Sequence, residues 1–136
     1  MGLSVPCGRM LGMAVDAADL LDLAASLPDS GEREYRDGAT IFTFRGRGIG
    51  YVSADGRYLF VKSTIDERDA MINSRPELYQ EWYTSGRFGW VRVRLDLIDF
   101  AEARELVLEA FRLTAPKKVV REYDASEVVR EPNEEE

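Results

Sequence analysis

Three short runs rich in β-branched and aromatic residues follow one another with almost nothing between them: Thr40 to Arg45, Ile49 to Ser53 and Tyr58 to Ser63. A parallel crossover needs a dozen or more residues, so neighbours this close pair antiparallel. Gly46-Arg47-Gly48 is a tight connection, and Asp55-Gly56 between apolar runs is a strong hairpin signal. The middle of this chain is therefore an antiparallel meander, and everything else has to pack on it.

Helical patterns stand on both sides. Asp16 caps a first helix running to about Ser26, with Leu20, Leu23, Ala24 and Leu27 on one face and Pro28 stopping it. Glu32 to Arg36 alternates weakly, as a short edge strand does. Thr64-Ile65-Asp66-Glu67 is a capping box opening a short helix to about Ser74. Glu77 to Arg87 is aromatic but aperiodic and reads as a loop or one helical turn. Gly89 to Leu95 alternates again as a strand. Asp99 to Glu102 is a second capping pattern, and the longest helix follows to Thr114, with Ala103, Leu106, Ala110 and Leu113 on one face. Val119 to Val129 reads as a further short helix. The expected order is α-β-β-β-α-β-α: an α+β fold whose antiparallel sheet of four to five strands carries its helices on one face.

A chain of 136 residues suits one domain, placed at residues 13–123. Residues 1–12 read as a tail, with Met10 and Met13 as alternative starts, and residues 124–136 as an acidic tail, disordered over Pro132 to Glu136. The net charge of −7 is uneven. Residues 1–31 carry −3 and residues 122–136 carry −6, which leaves the body at +2. A mildly basic body admits an anionic partner, although a charge-balanced domain with a solubilising tail has the same profile. No apolar run is long enough to span a membrane. The single Cys7 excludes an internal disulfide, and the expected location is the cytoplasm.

Chemistry is mostly missing. There is no histidine, hence no ordinary neutral-pH base and no Ser-His or Cys-His system. Gly46 to Gly50 has close glycines but leads into a strand, unlike a dinucleotide loop. Asp66, Glu67 and Asp69 suit a helix N-terminus, and Asp16, Asp19 and Asp22 a solvated helix face. No enzyme, metal or cofactor is expected.

What remains is a surface. If Leu59, Val61, Val91 and Val93 face the helices, the other face presents Arg45, Tyr58, Phe60, Lys62, Trp90, Arg92 and Arg94, with Arg47 and Lys117-Lys118 nearby. Rings among cations suit base stacking and phosphate contact. The same pattern also reads as a second, smaller core, with Tyr79, Trp82 and Phe88 folding over it and arginine stems crossing the rings. The candidate nucleic-acid or anion site is Arg45, Arg47, Lys62, Trp90, Arg92, Arg94 and Lys117.

Several segments together resemble the YjbR/MmcQ family of small bacterial proteins. They are Leu23 to Pro28, Ile41 to Arg47, Tyr58 to Lys62, Gly89 to Val93 and Ala110 to Lys118. The resemblance spans roughly Asp16 to Tyr123, with Lys62, Trp90 and Pro116 at family-typical positions and a departure at Ser85 to Gly89. It implies a CyaY-like two-layer α+β fold and a DNA-binding label that rests on fold analogy. The expected function is a monomeric binding module for DNA, or alternatively for an acidic protein segment or small anion.

Overall fold

The computed structural model describes residues 15–135, with side chains for residues 15–127. The expected tail at residues 1–12 lies outside them. The elements run α1 (Ala17–Ala25), β1 (Ser30–Glu34), β2 (Thr40–Phe44), β3 (Arg47–Val52), β4 (Tyr58–Thr64), α2 (Ile65–Ser74), β5 (Tyr79–Ser85), β6 (Phe88–Arg94), α3 (Phe100–Thr114) and α4 (Lys117–Glu135). The six strands form one antiparallel sheet in the order β1-β2-β3-β4-β6-β5.

The caps are where the sequence puts them. Asp16 accepts from the Ala18 amide, Thr64 from the Glu67 amide and Asp99 from the Glu102 amide. Each side-chain oxygen satisfies an amide that the first helical turn leaves free. The long helix α3 lies under β3 and β4 and buries Ala103, Val107, Leu108, Ala110 and Phe111. Leu20 and Ala24 of α1, with Leu59, Val61, Val91 and Val93 from the sheet, complete the core.

Two expectations change here, and the edge strand near Glu32 is met. The sheet has six strands, not four or five, because residues 79–85 form β5 instead of a loop. β5 is aperiodic for a physical reason: its pairing with β6 slips between Glu81 and Tyr83, so Trp82 is an extra residue. A bulge breaks the period-two pattern that would have announced a strand. The weak edge strand near Glu32 exists as β1, starting at Ser30; it is polar and exposed, as an unpaired edge needs to be. Finally, α4 runs from Lys117 to Glu135, longer at both ends than the short helix expected over Val119 to Val129. Arg112 of α3 holds Asp124 at 3.1 Å, and Tyr123 packs edge-on against Phe111.

The β2–β3 connection also moves. Phe44 pairs with Arg47, so Arg45 and Gly46 alone form the turn, both at positive φ (49° and 84°). That is the geometry of a type I′ hairpin. An arginine is strained there, and an ion pair to Asp29 at 2.7 Å plus a bond from its amide to the Asp29 carbonyl hold it.

α2 packs on the helix side of β5 and β6 through a buried cation. Arg68, only 4% exposed, donates to the Tyr83 carbonyl and to Thr84 Oγ1, and its guanidinium lies against Gly89. A Cβ at Gly89 would sit 3.1 Å from the guanidinium carbon, so glycine leaves the room that the cation occupies. Beside it, Tyr79 of β5 donates its hydroxyl to Glu102, which Arg75 also grips at 2.9 and 3.0 Å.

Two predictions test this packing. At Gly50 a Cβ would meet the Phe60 carbonyl at 2.6 Å and the Phe42 ring at 2.9 Å. Gly50→Ala must therefore push β3 from β4 and costs about 1–3 kcal/mol in urea unfolding. Burial first, and then the bond to Glu102, push the Tyr79 phenol well above its usual range. A raised native value contributes stability that is full below the unfolded phenol value of about 10 and is lost as pH rises past it. Tyr79→Phe is expected to lose about 1 kcal/mol at neutral pH, and to show a shallower fall in stability above pH ~10 than the native chain.

Candidate functional site: the helix-free sheet face and its basic end

All helices that contact the sheet lie on its Val61–Val91 side, so the opposite face has to cover itself. It does so with rings. Tyr51 stacks on Phe60 (centroids 4.5 Å apart, planes 13° apart), and Tyr83 stacks on Trp90 (5.5 Å, 6°). Trp82 lies on Phe60 at 4.7 Å and donates its indole N–H to the Tyr51 hydroxyl at 2.7 Å. Tyr35, just beyond β1, meets Tyr51 edge-on at 6.0 Å.

The Trp82–Tyr51 bond measures the shape of this face. β5 and β3 are three strand steps apart, roughly 14 Å on a flat sheet. Two long side chains leaning toward each other, joined by one hydrogen bond, bridge that span above β4 and β6. The bulge at Trp82 makes the coverage possible: with the extra residue, both Trp82 and Tyr83 reach the same side. Phe60 and Trp90 beneath them are only 6% and 7% exposed, whereas Tyr35 (46%), Trp82 (43%) and Tyr83 (43%) present their outer surfaces to solvent.

The seven residues expected to form one site divide into three places. Trp90, level with Lys62, is buried under Tyr83. Arg92, central, lies 4.8 Å over the Tyr58 ring and donates to Gln80; its Nε is buried with no partner. Arg92 is thus absorbed into the ring cluster, as the second-core pattern implies. Arg94 is at the far end, opposite Tyr58, where Asp96 takes both its Nε and Nη2 at 3.2 and 2.8 Å. Of the rings expected to fold over the face, only Trp82 does so. Tyr79 turns to the helix side, and Phe88 lies under Lys62 and Arg87 (4.9 and 5.3 Å).

The remaining four, Arg45, Arg47, Lys62 and Lys117, gather at the other end of the sheet. Lys62 pairs with Trp90 across β4 and β6, four residues (roughly 13 Å) along from the Arg94 end. The β2–β3 turn brings Arg45 and Arg47 to this end, the β5–β6 turn brings Arg87, and the α3–α4 junction brings Thr114, Pro116 and Lys117. A hollow of about 230 Å³ opens there, lined by Phe44, Arg45, Arg47, Thr114 and Pro116. The Lys62 ammonium donates to Thr114 Oγ1 at 3.0 Å on its edge. Burial, and then the nearby Arg47 charge, lower the Lys62 pKa. Among the described residues, no carboxylate comes within ion-pair distance of Arg47, Lys62, Arg87 or Lys117, while Asp29 takes Arg45.

Lys62 also borders a second, mainly apolar cleft of about 330 Å³ between β4, α2 and α3, where Glu67 and Glu109 stand at the rim. Among the described residues, no group of three His, Cys, Asp or Glu side chains is placed to hold a metal ion. Nor is any described helix long and apolar enough to cross a membrane.

Sequence reasoning missed Tyr35, Tyr51 and Tyr83 on the ring face, and Arg87 at the basic end. Tyr51 had a signal, since it lies between Gly50 and Val52 in an alternating strand; the other three come from an exposed edge or a turn.

The two tryptophans give a direct check of this geometry. Trp82 is open to solvent and Trp90 is closed, so iodide should quench the emission of the native chain in part. In Trp82→Phe the remaining emission should be nearly unquenchable.

No protein-family model and no curated protein sequence matches the chain. Among solved structures, the chain is similar to the crystal structure of Deinococcus radiodurans protein DR2400, a protein with a DUF419 domain. The likeness covers 76% of this chain and 80% of that one, with a TM-score of 0.65 and 20% sequence identity. At that identity the two share an α+β fold.

Proposed function

We infer that this chain is a non-enzymatic binding module of the YjbR/MmcQ type, monomeric and cytoplasmic, that takes single-stranded nucleic acid on its ring-covered sheet face. One observation carries the reading: Tyr83 lies parallel on the buried Trp90, Trp82 packs at a tilt of 52° on the buried Phe60, and both leave outer surface to solvent. A flat ring backed by another ring is a stacking platform that accepts any unpaired base. Duplex bases are already stacked, so single strands are preferred. The cations at the Lys62 end offer phosphate contacts beside the platform.

The magnitudes point to weak binding. Two stacked bases contribute about 1–3 kcal/mol each, which by itself gives a Kd no tighter than roughly tens of micromolar. The net charge of −7 repels a polyanion at long range, a repulsion that salt screens, while added salt also weakens the local cation–phosphate contacts. Arg92 and Arg94 are engaged within the protein and contribute little.

Titration of the native chain with an oligothymidylate at low salt is expected to quench Trp82 emission saturably. Trp82→Ala should weaken binding, read by anisotropy, about 5- to 100-fold, and Trp82→Phe should retain most of it. Absence of any quenching at low salt would overturn the reading and favour an acidic protein segment as partner.

A further inference from the structure

The basic end of the sheet has a property that base stacking does not use. Three separate elements bring Arg45, Arg47, Lys62 and Arg87 together, with Lys117 following the lining Pro116 in sequence, and Asp29 neutralises only Arg45 within ion-pair distance. Like charges converging without carboxylates repel one another, so the arrangement is held against its own electrostatics by the turns and helix that carry it. Lys62 is the clearest case. It is half-buried, its ammonium bonds only to the Thr114 hydroxyl, and its other near neighbours are the Phe88 ring and the Arg47 charge. Thr114 in turn donates to the Ala110 carbonyl at 2.9 Å, so its oxygen is fixed as the acceptor for Lys62. The acids nearest on the helix side, Glu67 and Glu109, border the neighbouring cleft instead.

We propose that the hollow lined by Arg45, Arg47 and Thr114, with the Lys62 ammonium bonded to Thr114 at its edge, binds a phosphomonoester group. Its volume of about 230 Å³ lies below that of sites for drug-sized ligands, roughly 300–1,000 Å³, and suits a phosphoryl group with the first atoms attached to it. The lining supplies what a dianion needs in the planar donor fork of Arg47 and the guanidinium nitrogens of Arg45 beyond its bond to Asp29, and Lys62, bonded to the lining Thr114, adds a point charge at the edge. Phe44 and Pro116 close the sides with apolar surface, which strengthens the charge contacts. A bound dianion relieves the repulsion between Lys62 and Arg47. The group belongs either to a small phosphorylated molecule or to the end of a nucleic-acid strand lying on the adjoining rings. The site does not require that the rings bind bases.

The test is calorimetric titration of the full chain with inorganic phosphate, then adenosine 5′-monophosphate, then one oligonucleotide with and without a 5′-phosphate. Saturable one-to-one phosphate binding is expected. Lys62→Met and Arg47→Gln should each weaken it about tenfold or more, and Arg94→Gln, at the far end, should leave it unchanged. Arg47 is exposed and unpaired, so Arg47→Gln carries the test even if Lys62→Met does not fold. A gain from the 5′-phosphate on the oligonucleotide supports a strand end as the source. No such gain, with phosphate and the mononucleotide binding alike, supports a small molecule. Absence of saturable phosphate binding at millimolar concentration, or native affinity in Arg47→Gln, overturns the site. Neither result depends on Trp82 quenching, so this failure and that of the stacking reading are separately visible.

Discussion

A six-stranded sheet with helices on one side has a second face that nothing else covers, and most of this structure follows from how that face is closed. Alternation along each strand sends half of its side chains there. Trp82 from the edge strand β5 reaches across β6 and β4 to bond Tyr51 on β3. Phe60 and Trp90 are then nearly as dry as the helix-side core, and burying each is worth about 1.5–3 kcal/mol. The rings are thus structural underneath and available on top. The two sequence readings of this face, a second core and a ligand surface, describe its inner and outer layers.

Charge is arranged along the strands instead of across the sheet. At the Arg94 end, arginines meet acids: Asp96 clamps Arg94, and Asp55 and Asp99 serve turn and cap. At the Lys62 end, turn and junction residues add cations, while the acids of the α2 start lie on the helix side. Spacing by sequence cannot display this, because Arg47, Lys62, Arg87 and Lys117 are separated by 15 to 30 residues each. Only the antiparallel register puts the β2–β3 turn, the β5–β6 turn and the end of α3 at the same level.

Much of the fold was legible because its signals are local. The meander, the three caps, the long helix and the Trp90 strand depend on turn chemistry, N-cap oxygens and hydrophobic period, all of which act within about ten residues. β5 was not legible. Its bulge scrambles the period and its side chains are mostly exposed, so neither alternation nor burial marks it. The full length of the last helix was not legible either: the sequence pattern reads as a short helix over Val119 to Val129, whereas the contacts of Tyr123 and Asp124 with Phe111 and Arg112 come from α3. The Arg68 clamp against Gly89 was equally hidden, since a buried arginine is recognisable only by the partners that gather around it.

The sequence by itself therefore determined an antiparallel α+β domain with one helix-free face rich in rings and cations. Local backbone preference and periodicity suffice for that. Which cations are free was decided by tertiary structure alone: Arg92 and Arg94 are absorbed by Tyr58, Gln80 and Asp96, and Arg47 and Lys62 are not. A guanidinium's availability depends on what lies within about 4 Å of it, and in this sheet those neighbours arrive from other strands, set by register and by one bulge.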